Sequence, residues 1–146
     1  MNKSKNEILI VVPTLNSFHL LPKLVNSLQN QTNKSWDLLF VDGKSSKEHR
    51  EWIENLCLNE KNFNWIEQEE NQKGIYGAMN QGFKFGSNYE WFIFWGSDDW
   101  VDNNFVFEKI YKNIENLRNN NLNLLIFKGK YIDSKGRVVR KTKFQN

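Results

Sequence analysis

Trp91-Phe92-Ile93-Phe94-Trp95-Gly96-Ser97-Asp98-Asp99-Trp100 is an apolar run that ends in two adjacent carboxylates. The run reads as a buried strand, which puts Asp98 and Asp99 at its carboxyl end. In open α/β sheets, ligands bind outside the carboxyl ends of the strands. Paired carboxylates there can hold a divalent cation, and the cation can neutralise a diphosphate. Asp-Asp after a strand also serves as an ordinary turn and helix N-cap, which is its commoner use. The rest of the chain decides between these readings.

Upstream, Ile8 to Val12 is a short apolar run closed by Pro13. Phe18, Leu20, Leu21, Leu24, Val25 and Leu28 then recur with helical period. Trp36 to Val41 is a second strand, ended by Asp42-Gly43. Ser45-Ser46-Lys47-Glu48 offers capping chemistry to a helix with Trp52, Ile53, Leu56 and Cys57 on its apolar face. Phe63 to Ile66 reads as a third strand, and Ile75, Ala78, Met79, Phe83 and Phe85 as a further helix. Downstream, Phe105, Phe107, Ile110, Ile114 and Leu117 repeat helically, and Leu122 to Phe127 reads as a fifth strand. Tyr131-Ile132 and the segment 137–140 flank the turn Asp133-Ser134-Lys135-Gly136, which predicts a hairpin. Alternating strands and helices predict an α/β fold: a mostly parallel sheet wrapped on both faces, with a C-terminal β-hairpin. Nothing marks a second domain, so residues 1–146 are expected to form one.

Composition narrows the function classes. The 146 residues are 39% hydrophobic and 14% aromatic, with six Trp, which excludes a disordered chain. A net charge of +3 is too small to indicate nucleic-acid binding. The single Cys57 excludes an intramolecular disulfide and a cysteine zinc cluster, and its helical spacing predicts a buried thiol. His19 and His49 lack a second histidine at ligand spacing, which argues against a histidine metal site. No segment reaches the roughly 18 apolar residues of a membrane span. The polar start, Met1 to Glu7, does not resemble a signal peptide, so a cytoplasmic chain is expected.

In such a sheet the strand carboxyl ends share one rim. Pro13-Thr14-Leu15-Asn16, Asp42-Gly43-Lys44-Ser45 and Ser97-Asp98-Asp99 all fall there. Together they offer hydroxyl, amide and carboxylate groups to one pocket. Asp42 reads equally as a ligand contact, accepting from a base N–H or a ribose hydroxyl, and as a turn former. A fourth segment, Lys73-Gly74-Ile75-Tyr76-Gly77-Ala78-Met79-Asn80-Gln81-Gly82, allows close backbone approach at its glycines and a phosphate at its helix start. It matches neither standard phosphate-binding glycine pattern. Its plain reading is a helix start with an apolar face.

Four blocks, in order, resemble the family 2 glycosyltransferases, which have the GT-A fold. The branch that looks most alike builds bacterial O-antigen, capsule and exopolysaccharide. Ile10 to Ser17 is similar to the family's opening strand and Pro-Thr-x-Asn turn. Leu24 to Thr32 resembles the end of its first helix, and Leu39 to Ser46 its nucleotide-binding Val-Asp-Gly-x-Ser block. The segment Lys73 to Gly82, with Gly96-Ser97-Asp98-Asp99, resembles the rest of the donor site. The resemblance covers about residues 7–140.

It implies a nucleotide-sugar site, with a UDP-sugar as the first donor to consider. Ser97-Asp98-Asp99 stands where the family has its DXD motif, so the resemblance makes Asp99 the ligand of Mn²⁺ or Mg²⁺. It gives Asp98 to the ribose or donor sugar, and Thr14 and Asp42 to the base and ribose pocket. Pro13, Asn16, Gly74, Tyr76, Asn80 and Ser97 complete the implied donor site. It also implies inversion at the anomeric carbon, with a carboxylate taking the acceptor's proton. The acceptor would be polysaccharide or lipid-linked, and the chain cytoplasmic or peripheral at the inner membrane face. A partner chain or membrane surface fits that setting, and nucleic acid is not expected.

The departures are specific. Gly43 stands where many members have a second acid, although this branch often has glycine too. Gln72 and Gly77 stand where the glycine block commonly has Asp. The resemblance implies an acceptor half and a catalytic base after the metal motif; Asp133 is the only carboxylate after Glu115, so neither is expected within these residues. Exposed apolar surface is expected where that half would pack. Two alternatives remain open: an inactive remnant that folds and binds nucleotide, and a basic interaction module. The second rests on Lys128, Lys130, Lys135, Arg137, Arg140, Lys141 and Lys143, which crowd the C-terminus against Asp133.

Overall fold

The computed structural model describes residues 6–142. Lys143 of the basic cluster and most of the polar start lie outside these residues. The chain forms two compact units, one ending at Phe107 and one beginning at Glu108.

The first unit follows the expected alternation: β1 (Ile8–Thr14), α1 (Leu21–Gln29), β2 (Trp36–Asp42), α2 (Lys47–Asn59), β3 (Phe63–Glu67), α3 (Gly74–Phe85) and β4 (Trp91–Phe94). The four strands pair in parallel in the order β3-β2-β1-β4. β1 and β2 are central, and residues 8–12 and 38–41 are fully buried. Their near-continuous apolar sequence is what a strand covered on both faces requires. Each such side chain contributes about 1.5–3 kcal/mol when removed from water.

Strand alternation sorts the core into two layers. Leu9, Val11, Leu39 and Val41 face α3 and pack on Ala78. On the other face, Trp36 stacks on Phe63 and Phe107 at centroid distances of 5.9 and 5.7 Å. Pro13 lies within β1, one residue beyond the expected stop. It lacks an N–H, but pairing with β4 covers only Ile8 to Val11, so no bond on that side is lost.

Two sequence expectations change. The run beginning at Trp91 is a strand but not a buried one. β4 is the last strand of its sheet among the described residues, so its side chains are half-buried and Phe94 is exposed. The segment from Leu122 to Phe127 forms no strand. Its composition suits one, but among the described residues it has no neighbouring strand, and an isolated extended segment gains no ladder hydrogen bonds. In the second unit, α4 (Val106–Asn119), whose first turn spans the boundary, leads to the expected hairpin of β5 (Lys130–Ile132) and β6 (Val138–Lys141). Gly136 takes φ 77° in its turn, a conformation that favours glycine.

α3 lies unusually close to the sheet. A Cβ on Gly82 would stand 2.4 Å from a Val11 methyl, deep in the core. Gly82→Ala is therefore expected to lose about 1–3 kcal/mol of stability in urea unfolding. Adding Val11→Ala should recover less than the full loss, because the methyls it removes also pack elsewhere. Additive losses would show that the two residues do not share this contact.

Candidate functional site

Parallel pairing brings the ends of β1 and β2 side by side, with Thr14 in register with Asp42. The turns that follow are tied together. The Gly43 N–H donates to the Thr14 carbonyl at 2.8 Å. The Asn16 N–H donates to Ser45 Oγ at 2.8 Å, and the Ser46 N–H donates to Asn16 Oδ1 at 2.8 Å. Asn16 and Lys44 take φ of 50° and 65°. Asn visits that left-handed region more readily than most residues. Asn16 is thus a structural clasp that supplies an acceptor at the start of α2.

Beneath the clasp lies a buried polar network. Asp42 has no exposed surface. Its carboxylate accepts from the Ser45 N–H at 3.0 Å and from the Ser45 hydroxyl, and it stands 3.5 Å from His49 Nε2. Thr14 Oγ1 lies 3.2 Å from the same nitrogen and 2.6 Å from Ser17 Oγ. In this arrangement the Asp42 carboxylate is buried and holds its own turn through Ser45. It supports the rim from below.

His49 is the residue that sequence reading passed over. It follows the polar pair Lys47-Glu48 in sequence, yet it is fully buried. One signal was available: Ile53, four residues on, shares its helix face and is also buried. Among the described residues Nδ1 of His49 has no hydrogen-bond partner, an arrangement that costs free energy in a dry site. Burial lowers its pKa, partly offset by the Asp42 charge.

At the end of β4, the Trp95 N–H donates to the Val11 carbonyl at 3.0 Å, which holds the next turn beside β1. The Asp99 N–H then donates to the Gly96 carbonyl at 3.2 Å. The point where a Gly96 Cβ would stand is 2.9 Å from an Asp98 carboxylate oxygen and 2.9 Å from an Asp99 one. The two acids therefore converge over a residue with no side chain. The pKa of Asp99 is raised, first by partial desolvation and then by the Asp98 charge, against a backbone hydrogen bond from Gly96. Among the described residues, no group of three or more His, Cys, Asp or Glu converges as a metal site. The pair does fit a hard cation whose remaining ligands are water or phosphate oxygen, since it supplies only oxygen donors and excess negative charge.

The glycine block forms the start of α3. Gly74 takes φ 73°, and its carbonyl accepts from Gln68 Nε2 at 2.7 Å. Gln68 also donates to the Gln72 carbonyl, while Gln81 bridges the Glu67 carbonyl and the Glu69 N–H, at 2.9 Å each. A Cβ on Gly77 would lie 2.0 Å from the Gln72 carbonyl oxygen. The backbone at Gln72 fills the space a side chain at 77 would need, which accounts for the glycine there. Tyr76 and Asn80, four residues apart, are exposed on the helix away from buried Gly77 and Ala78. Ser97 is half-buried, and Asp98 and Asp99 are exposed.

Two features lie elsewhere. A groove lined by Cys57, Leu58, Phe63 and Trp65 opens at the amino end of β3, opposite the rim. Cys57 is half-buried where a buried thiol was expected, and burial pushes the thiol up to about 12, which disfavours the reactive thiolate.

The buried imidazole has a measurable consequence. His49 binds its proton less readily in the fold than in the unfolded chain. Its contribution to stability is therefore complete above the unfolded value of about 6.5 and is lost as pH falls through the lower folded value. Urea unfolding followed from neutral to mildly acid pH is expected to show this loss, and His49→Gln should remove that component. An identical acid limb in the variant would assign the loss to other groups.

The family described as Glycosyl transferase family 2 matches residues 9–141. A PGL/p-HBAD biosynthesis glycosyltransferase of Mycobacterium bovis is 33% identical over 90 residues, covering 62% of this chain and 34% of the relative. Glycosyltransferase GlyA of Streptococcus pneumoniae is 30% identical over 110 residues, covering 75% of this chain and 15% of the relative. This chain thus spans about a third or less of the length of these relatives. Among solved structures, S. aureus TarS 1-349 superposes with a TM-score of 0.67 at 24% identity, over 77% of this chain and 33% of that one. The mannosyltransferase PcManGT from Pyrobaculum calidifontis, in complex with GDP-Man and Mn²⁺, gives 0.62 at 15% identity, over 76% and 32%. At these identities the structural likeness is one of fold, and the fold is GT-A. The match of sequence over nearly the whole chain goes further: this protein belongs to glycosyl transferase family 2.

Proposed function

We propose that this chain is the donor-binding part of a glycosyltransferase. It would take a sugar from a nucleoside diphosphate donor, UDP first, for transfer to a surface-polysaccharide or lipid-linked acceptor. The observation that carries this reading is the convergence of Asp98 and Asp99 over Gly96, at the end of β4 and beside β1. Asp99 would hold Mn²⁺ or Mg²⁺, and Asp98 would meet the ribose or donor sugar. When bound, the cation offsets the charge of the departing nucleoside diphosphate.

The chain's own residues have separable roles in this reading. Pro13, Thr14 and Asn16 form the β1 side of the donor pocket, and Asn16 locks that side to the start of α2. Asp42 holds the pocket floor through Ser45. Gly74, Tyr76 and Asn80 present the α3 side, and Ser97 leads the acids away from β4. The acceptor's proton would go to a carboxylate, as inversion requires, and the described residues assign none to that task. TarS 1-349 has been solved with UDP, which supports trying that nucleotide first. A Campylobacter jejuni relative, 29% identical over 90 residues, is named as a glucosyltransferase acting on an undecaprenol-linked glycan. That name supports a lipid-linked acceptor, and with it a cytoplasmic chain working at the inner membrane face.

Calorimetric titration of UDP is expected to show binding with Mn²⁺ that EDTA abolishes. Asp99→Ala should weaken it at least tenfold, about 1.4 kcal/mol. Because the proton and the cation compete for Asp99, binding should begin to fail on acidification at a higher pH than an ordinary aspartate would give. Asp98→Asn should move that failure to lower pH by removing the neighbouring charge. If UDP, GDP and dTDP all failed to bind in Mn²⁺, the donor-site reading would be lost. Nucleotide binding with no sugar transfer would leave a binding domain without the reaction.

A further inference from the structure

The block from Leu24 to Thr32 ends in Ser27-Leu28-Gln29-Asn30-Gln31-Thr32, at the end of α1 and just past it. Ser27, Gln31 and Thr32 all reach one distant segment, residues 101–107, which follows the acid pair. The Val101 N–H donates to Ser27 Oγ at 3.0 Å, and that hydroxyl donates to the Leu24 carbonyl at 2.7 Å. Gln31 is 2% exposed. Its Nε2 donates to the Ser27 carbonyl at 3.0 Å and to the Asn103 carbonyl at 2.8 Å, while its Oε1 accepts from the Phe107 N–H at 3.2 Å, in the first turn of α4. The Thr32 N–H and hydroxyl both donate to the Asn104 carbonyl, at 2.8 and 3.1 Å.

The acid turn is therefore anchored at both ends. Upstream, the Trp95 N–H ties it to the Val11 carbonyl of β1. Downstream, Lys23 Nζ stands 3.2 Å over the Trp100 ring, and Val101 and Asn103 are bonded to α1 and Gln31. Only residues 96–99 lie between the two anchors. Within them the carboxylates of Asp98 and Asp99 converge over Gly96, and like charges at close range repel. Holding them converged before a cation arrives needs a rigid frame, and a site built that way binds more tightly than one that must order itself. A carboxamide suits the buried hub of that frame, because it donates and accepts at once and a carboxylate could not serve the two carbonyls.

We propose that Ser27, Gln31 and Thr32 are positioning residues, which brace the segment after Asp99 and so keep the acid pair converged for a divalent cation. They act through the backbone of residues 101–107 and are not ligands. The inference rests on the cation role given to the acid pair in the proposed function.

The probe is Mn²⁺, titrated alone into the full chain and followed by loss of the free-ion electron paramagnetic resonance signal. Gln31→Met and Ser27→Ala are each expected to weaken Mn²⁺ binding about tenfold, as for a turn that is competent about a tenth of the time. Ser27→Thr should restore it, because a threonine hydroxyl can also bond a carbonyl one turn back in the helix. Hydrogen exchange of the metal-free protein reads the brace without any ligand: the Asp99 and Val101 amides should exchange faster in the two weakened variants, and those of β2 should not. Ile53→Ala controls for lost stability. It removes a buried side chain from α2, which packs on β3 at the opposite edge of the sheet from β4. It should lower the unfolding midpoint and leave Mn²⁺ affinity unchanged. Circular dichroism checks folding, and the half-buried Ser27 pair carries the test if Gln31→Met does not fold. Wild-type Mn²⁺ affinity in the folded brace variants, equal weakening in Ile53→Ala, or no recovery in Ser27→Thr overturns the proposal. So does a wild-type chain that binds no Mn²⁺. Mn²⁺ binding that the brace variants weaken, in a chain that binds no nucleotide, supports the brace and removes the donor-site reading alone.

Discussion

The site depends on the parallel pairing of β1 with β2 from Ile8↔Trp36 to Thr14↔Asp42. This pair is dry on both faces, and its register sets which side chains reach the rim. A shift of one residue would exchange the two faces of the core and move Thr14 away from Asp42. The ties between the two turns, through Gly43, Asn16 and Ser45, can form only in this register. The pocket floor is therefore fixed by the core, and flexible loops have little part in it.

The polar network under the floor follows from the same constraint. Asp42 ends a buried strand, so its charge must be satisfied locally. Ser45 does this from the following turn, and His49 faces the same carboxylate from the first turns of α2. A neutral imidazole is the form that burial favours, and its Nδ1 has no partner among the described residues. Such a site gains little stability and much positional definition. Asp98 and Asp99 are the opposite case. They are exposed, alike in charge and close together, an arrangement that a cation would improve.

α3 shows how departures from a pattern can be compensated. Gly77 is small because the Gln72 carbonyl lies against it, and Gly82 is small because Val11 does. Gln68 donates to two carbonyls of the intervening loop, and Gln81 both donates and accepts there, which no charged side chain could do. The start of α3 is thus neutral at two positions where the family commonly has acids, and its shape is maintained by amide hydrogen bonds.

The order of elements, the parallel sheet, the hairpin and the acidic turn after the fourth strand were legible in the sequence. They depend on local signals: apolar period, Pro and Gly at turns, and capping residues. Residues whose role depends on neighbours far along the chain were not legible. His49 stands between Glu48 and Arg50 in sequence, and only the fold brings Thr14 and Asp42 to it. The run beginning at Trp91 looked buried because its composition is apolar, but burial depends on whether a strand has one neighbour or two. The segment from Leu122 to Phe127 looked like a strand, and a strand exists only when another segment completes its hydrogen bonds. The sequence alone determined which segments fold and which residues carry charge to the rim. Tertiary structure decided which of those charges are satisfied inside, because satisfaction depends on distances that no local pattern records.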